Sequence, residues 1–320
     1  MTNGSLQSTR ISQRQKLLQG LVVGASVSGL LLLMLAGQVF TQLQLDLSDI
    51  YFIPAPSTGS IVIVALDDKS AAAYGRTPGE WSRRVYAELI ERLSRGNARV
   101  IGFDLLFDLP TPDDDRFAQA IRDARAAESR TRTVLATAGV QDRIQLSDKV
   151  TLFDRVLNPQ PELVEASENL GYVNGFPDID GVIRRQPSRI QVNDERGLAF
   201  GLAVYMAYLR VPTAALEQLI QIQGNTLQLT SERNLFVDAA GMWQQNYFGP
   251  PATVTEATFP IVSLFDVVND EVDLSIFDDK IVLVGLINNT GSTDNYPVPS
   301  SATGQMMSGV EIHANAIETL

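Results

Sequence analysis

The sequence predicts an α/β protein, a three-layer and mainly parallel sheet with flanking helices and a hairpin-rich middle section, preceded by one transmembrane helix. Three observations carry this expectation. The run Ile61-Val62-Ile63-Val64-Ala65-Leu66 is continuously apolar and stops at Asp67-Asp68. Lys280 to Gly285 repeats that composition near the other end. Between Leu17 and Leu45 the chain has no charged residue. Short β-branched runs without alternation are strands covered on both faces, as in parallel sheets. An uncharged stretch of this length is a membrane-span candidate.

Leu17 to Phe40 is dominated by Leu, Val, Gly, Ala and Met. At about 1.5 Å per residue such a helix reaches roughly 36 Å, enough to cross a hydrocarbon core of about 30 Å with tilt. Arg10, Arg14 and Lys16 precede it without an acid, and Asp46 and Asp49 follow. The positive-inside rule then puts residues 1–16 in the cytoplasm, 17–40 in the membrane, a linker at 41–59, and the main domain, 60–320, outside. A cleaved signal peptide is the alternative. Its apolar region is normally about 7 to 15 residues and ends in a small-x-small site, which Ala36-Gly37 matches poorly.

After a Pro/Ser/Gly linker and the first strand, Ser82 to Ser94 places Val85, Tyr86, Leu89, Ile90 and Leu93 on one helical face. A second strand spans Arg99 to Asp104. Thr111-Pro112-Asp113-Asp114 has the form of a helix start, with Thr as cap, Pro first and acids in the first turn. Apolar residues follow at Phe117, Ala120, Ile121 and Ala124, and Thr133 to Ala138 makes a third strand. Right-handed crossovers are the economical arrangement for this β-α-β-α-β run. Asn174 to Ile190 predicts a hairpin turning at Pro177 to Gly181. Phe200 to Leu209 predicts a buried helix, Ile220 to Asn246 several short strands, Pro260 to Val268 a helix, and Gly309 to Leu320 a last helix. A Gly/Asn/Ser/Thr/Pro loop, Asn288 to Gly304, precedes that last helix.

Composition excludes several functions. The 320 residues are 45% hydrophobic, enough for a sizeable core, and carry a net charge of -12. Beyond Lys16 there are 22 basic and 37 acidic groups. Such a surface repels phosphate backbones, so nucleic acid is not an expected partner. The absence of cysteine removes disulfides, thiolate nucleophiles and sulfur-ligated zinc. There is no Gly-x-Ser-x-Gly elbow and no Gly-x-x-x-x-Gly-Lys loop.

In ordered landmarks the chain resembles the type-2 CHASE family, extracytoplasmic sensory domains of bacterial cyclases, histidine kinases and Ser/Thr kinases. The matching residues are Asp67-Asp68 with Ser70 and Gly75, Arg83 with Tyr86, and Gly102-Phe103-Asp104 with Phe107. They continue with Gly171 to Asn174, Asp178 to Pro187, Lys280 to Gly285, Asp294, Pro297 and Gly309 to Asn315. The resemblance spans roughly Ser60 to Leu320. It implies a signal-input role and no catalysis in this chain, a location at the bacterial plasma membrane with the main domain periplasmic or extracellular, and further membrane helices with a cytoplasmic effector beyond Leu320. The family commonly has Trp-Pro-Trp before an Arg. Here Arg76 to Arg83 keeps Pro78, Trp81 and Arg83 and lacks the first Trp.

The candidate ligand-binding residues are Asp67, Asp68, Asp104, Asp294 and His313. In open parallel sheets ligands gather at the carboxyl ends of the strands, where the first three lie. Helix capping is the first expectation for such acids; a polar-ligand or divalent-cation site of hard oxygen donors is the second. His313 is the sole histidine, so no multi-histidine metal site exists. On the last helix it shares a face with Ile317 and Leu320, which predicts a packed, hydrogen-bonded structural role. Asp178-x-Asp180-Gly181 is read as turn chemistry and not as a calcium loop. Of Arg184 and Arg185, alternation along a strand allows one to enter a site and sends the other to solvent. No cofactor is expected beyond a candidate divalent cation. Expected partners are the lipid bilayer, an unidentified small-molecule or ion stimulus, and a second copy in a homodimer. Two other classes stay open: a membrane-anchored metal-dependent hydrolase using Asp67, Asp68, Asp104 and His313, and a purely structural or dimerising module.

Overall fold

The computed structural model describes residues 13–37, 39–50, 54–75, 77–140, 145–147, 150–192, 195–212, 215, 221–253, 255–287, 294–300 and 305–320. The chain divides into two units, Met1–Tyr51 and Phe52–Leu320. In the first, α1 (Gln13–Ala36) is long and apolar enough to cross a membrane, and no residue of it is buried in protein. It ends four residues before the expected limit, in a turn at Gly37, and α2 (Val39–Ile50) makes helix of the stretch read as the start of a linker.

The second unit is built on seven strands: β1 (Ile61–Leu66), β2 (Val100–Phe103), β3 (Arg132–Val140), β4 (Arg155–Leu157), β5 (Asn169–Tyr172), β6 (Ile261–Ser263) and β7 (Ile281–Leu286). The order is β6-β1-β7-β2-β3, all parallel, with β5 parallel and β4 antiparallel to β3. Every residue of β1 is buried. Val62, Val64 and Leu66 join one core cluster and Ile61, Ile63 and Ala65 another, which is why the run lacks alternation.

On the first face lie α4 (Arg83–Arg95) and α5 (Asp114–Ala126). Tyr86, Leu89, Ile90, Leu93, Phe117 and Ile121 pack there beneath β1, β2 and β7. Ser82 caps α4, its hydroxyl accepting from the Arg84 amide. Helix α5 starts later than the Thr111-Pro112 signal predicts. The Asp114 carboxylate accepts from the amide and hydroxyl of Thr111, at 2.6 and 3.0 Å, so 111–113 forms a turn ahead of the helix. On the opposite face lie α7 (Phe200–Tyr208) and α9 (Gly309–Thr319), named after the short helices α3 (Asp68–Tyr74), α6 (Pro161–Ala166) and α8 (Leu264–Val268). Three layers result, helix, sheet and helix, as predicted.

Two local expectations fail. Pro260 to Val268 is not one helix, because Ile261–Ser263 pairs as edge strand β6 beside Ile63–Ala65 and only then turns into α8. Asn174 to Ile190 does not close as a hairpin. The tight turn exists, with the Asp178 amide bonded to Val182 O at 2.8 Å and Gly181 at φ +84°. Its arms part, however: Arg185–Pro187 pairs with Met242–Gln244, while Arg189–Val192 pairs with Glu195–Leu198 and Val150–Phe153. Three further short strands, Gln221–Gln223, Thr226–Gln228 and Asn234–Phe236, form a meander. Of the loop predicted at 288–304, residues 288–293 and 301–304 lie outside the described residues.

Candidate functional site

Asp67 takes the capping role. Asp67 Oδ1 accepts from the Ser70 amide (2.9 Å), the Ser70 hydroxyl (2.7 Å) and the Ser263 hydroxyl (2.9 Å), starting α3 and tying it to β6. Asp68 is exposed in the first turn. The other three candidates come together. A cavity of about 350 Å³ lies beyond the carboxyl end of β2, with Asp104, Asn174, Gln186, Asp294, Tyr296 and His313 among its lining and Ile183 and Ile312 as apolar wall.

Each acid or base arrives for a local reason. Asp104 is fixed at the end of β2 by its amide, which donates to Val284 O of β7 at 2.8 Å. Asp294 sits at the entrance of α9, whose first residue, Gly309, donates its amide to Asp294 O at 3.1 Å. A Cβ at position 309 would stand 2.5 Å from Asp294 Oδ2, so glycine is what lets the carboxyl group approach the helix N-terminus. His313, one turn further on, projects from the same face as Gly309. Its ring meets Phe200 edge-on at 5.0 Å.

His313 and Asp104 side chains are each about 9% exposed, with Nε2 3.9 Å from Asp104 Oδ1, beyond hydrogen-bonding distance. Nδ1 is buried without a partner. Burial drives the His313 pKa down to about 4, leaving a neutral imidazole at pH 7. Burial, and then the neighbouring Asp294 charge, push the Asp104 carboxyl well above its usual range. Asp294 is also raised by burial, against the opposing hydrogen bond from Tyr296. Tyr296 in turn is pushed up to about 12, by burial and by the Asp294 charge. Two like charges in one desolvated pocket resist joint ionisation.

Not every lining polar group is available. The Asn174 amide bonds both to Gly139 N (2.8 Å) and to Gly139 O (2.9 Å), continuing the β3–β5 pairing with a side chain. The Asp178–Gly181 turn is held by Arg184, whose Nη2 donates to Asp180 Oδ2 at 2.7 Å and Nη1 to Asp178 Oδ2 at 3.1 Å. Arg185 Nη2 meets the same Asp178 at 2.6 Å, and Nη1 meets Asp238 at 2.6 Å. Arg184 is 4% exposed and Arg185 43%, the separation that alternation predicts, yet both bond Asp178 because it lies in a turn that both can reach. Arg184 holds the Asp180 carboxyl below the usual range.

The structure does not bring Asp67, Asp68, Asp104 and His313 to one place. Strand β7 separates β1 from β2, setting their ends about 10 Å apart. Among the described residues no group of three or more His, Asp or Glu side chains is arranged to hold a metal.

A sequence profile of the CHASE2 domain matches residues 24–320, nearly the whole chain. The chain belongs to the CHASE2 family. Comparison with curated proteins and with solved structures gave no match. CHASE2 domains are extracytoplasmic sensory domains, not catalytic ones, so the cavity is read for what it can receive. The residues that carried the resemblance sort by role in this CHASE2 domain. Arg83 and Tyr86 are in the core. Gly309 admits Asp294, Glu311 closes a capping box with Ser308, and Asn315 Oδ1 accepts from the Phe248 amide at 2.9 Å. Where the family has a first Trp, Trp81 alone stacks on Tyr86 at 6.1 Å and donates to Gly75 O at 2.6 Å. Tyr296 escaped the sequence reading, and Gln186 and Ile183 entered it only within the Asp178 to Pro187 run and not as site candidates. Tyr296 lies two residues from Asp294, on the loop after the last parallel strand, and that position was the one available signal.

Proposed function

We propose that this CHASE2 domain is the input part of a membrane receptor. Helix α1 anchors it in a bacterial plasma membrane, its main domain lies on the outer side, and in a longer protein it drives a cyclase or kinase output. The cavity of Asp104, Asp294 and His313 is the stimulus site in this reading. One observation carries it: α9 walls the cavity with Gly309, Ile312 and His313, and its last turn holds the segment that leads back to the apolar helices. The Glu318 carboxylate accepts from the Thr58 amide and, at 3.2 Å, from the Thr58 hydroxyl. A single helix of 11 residues, about 16 Å long, thus joins the site to the chain's approach to the membrane. A stimulus acts by preferring one of two placements of that helix.

Two measurements test the proposal. An alkaline phosphatase reporter fused after Leu320 is expected to be active, and a cytoplasm-only reporter silent; the reverse removes the receptor topology. The absence of cysteine permits a clean Thr58→Cys/Glu318→Cys pair in the full chain. Its rate of disulfide formation in membranes is expected to change at least twofold when Asp104→Asn is added. Indifference of that rate to Asp104→Asn, Asp294→Asn and His313→Asn alike rules out coupling through α9.

A further inference from the structure

We propose that the cavity takes a small organic cation, a primary alkylammonium whose charged end sits between Asp104 and Asp294. This deepens the receptor reading and rests on it.

Four observations select that chemistry. First, the acceptors are present and no competitor is: two carboxyl groups, the Tyr296 hydroxyl and the His313 imidazole face the space, and no described Lys or Arg lines it. An anionic ligand would meet two carboxyl groups and no described cation in a desolvated pocket, which is costly without a counter-charge. Second, His313 is nine-tenths buried with Nδ1 sealed and unpartnered, so Nε2, aimed at Asp104 across 3.9 Å, is its one means of bonding. A polar group buried in that state is costly until something enters the gap. Third, a volume of about 350 Å³ is that of a small-molecule pocket, not of a bare ion. Calcium takes six to eight oxygen ligands, and among the described residues no group of three or more His, Asp or Glu side chains is arranged to hold a metal ion. Fourth, Ile183 and Ile312 provide an apolar wall for a short hydrocarbon body.

The same geometry links binding to protons. The titratable groups facing the cavity are Asp104, Asp294, Tyr296 and His313. Glu311, on the same helix, points to the Ala252 amide and Ser308 instead, and Arg184 is engaged with Asp178 and Asp180. Burial raises both carboxyl groups above their usual range, so a proton shared by the pair competes with a bound cation. An alkylammonium replaces that proton as counter-charge: the proton leaves to solvent and no covalent bond forms or breaks. Occupancy therefore tightens as pH rises, about tenfold per unit for one proton released, until the carboxyl groups are ionised in the free protein.

Isothermal titration of the full chain in detergent, with butylamine, putrescine and ethanolamine as probes and butyrate, magnesium and calcium as controls, tests this. At least one amine is expected to bind saturably at pH 7.5, with release of one proton read from two buffers of different ionisation heat. Affinity is expected to fall at least tenfold in Asp104→Asn and Asp294→Asn, and to stay unchanged in Glu91→Gln on the distant exposed face of α4. Amine binding that ignores both aspartates or releases no proton overturns the proposal. Butyrate or a divalent ion binding through Asp104 overturns it too, while leaving the receptor reading standing. Failure of every probe overturns it as well, and the Thr58–Glu318 disulfide rates then decide whether the receptor reading survives.

Discussion

Arg83→Met is expected to cost the Phe52–Leu320 unit about 3–5 kcal/mol of unfolding free energy, among the largest single-residue effects in the molecule. Arg83 is 1% exposed and Asp114 3%, with Nε 3.2 Å from Oδ1. Nη1 donates to Gly79 O at 2.9 Å, Nη2 to Leu109 O at 3.3 Å, and the guanidinium lies 4.7 Å over the Phe107 ring. Methionine fills the volume and keeps none of these bonds. It leaves the Asp114 carboxylate buried with only Thr111 for company, and two carbonyls short of a donor. The cost comes mainly from that stranded charge, so Arg83→Met with Asp114→Leu should recover a substantial part of the loss. Arg83→Lys should recover little, because an ammonium cannot reach three separate acceptors from one planar fork. Urea unfolding of the full chain in detergent, followed by Trp fluorescence, measures all three. A single-mutant loss below about 1 kcal/mol would show that the pair is solvated. The neighbouring pair Arg84–Asp113, with Arg84 72% exposed, is the contrast: its loss should be hardly measurable.

The parts of the fold that were legible in the sequence are those where one local signal sufficed. Ile61–Leu66 and Ile281–Leu286 need no partner information, because six apolar residues in succession fit a strand buried on both faces. Helix α4 declares itself through Ser82 and five apolar positions on one face. Where two signals competed, the reading failed. Pro260 to Val268 has helical spacing, yet sheet-edge pairing with β1 claims its first residues. Helix α3 was missed because seven residues, Asp68-Lys69-Ser70-Ala71-Ala72-Ala73-Tyr74, are too few to show a period. It forms because Asp67 caps it and α8 packs beside it.

The site divides in the same way. Asp67, Asp68 and Asp104 look equivalent in sequence, each ending a buried strand. What separates them is the strand order, which places β7 between β1 and β2 and carries α9 past Asp104 and not past Asp67. Strand order is a long-range property, set by which apolar faces pack together, and no local pattern around Asp67 encodes it. His313 shows the complementary error. Its helical face does include Ile317, which is buried, but the packed, hydrogen-bonded role expected for it is met only in its packing, since Nδ1 has no hydrogen-bond partner. That Asp104 and Asp294 would meet the same face depends on Gly309, whose missing side chain makes room for Asp294.

The pH dependence of stability is expected to have two opposed limbs, and each should follow one cavity residue. His313 titrates in the native state near pH 4 instead of 6.5. Its contribution is therefore complete above pH 6.5 and disappears as pH falls towards 4, a loss of about 3 kcal/mol at about 1.4 kcal/mol per unit. Asp104 and Asp294 have the opposite sign. Their native values are raised by burial, so their contribution is complete below the unfolded carboxyl value and is lost as pH rises through the native ones. In the wild type the two contributions therefore oppose each other between pH 4 and 6.5, and above that window the carboxyl groups alone soften the fold as pH rises towards their native values. In Asp104→Asn the repulsion with Asp294 and the desolvated charge are gone together, so the variant should be more stable than wild type at pH 8, with a flatter alkaline limb. In His313→Asn the acid limb between pH 6.5 and 4 should shrink, whatever the variant costs at pH 7 in lost contact with Phe200. Thermal midpoints of the three chains at pH 4.5, 6, 7 and 8 separate the limbs. An Asp104→Asn chain less stable than wild type at pH 8 would mean that the carboxylate is matched by a positive charge already in place. A pocket so matched would have no vacancy for an alkylammonium.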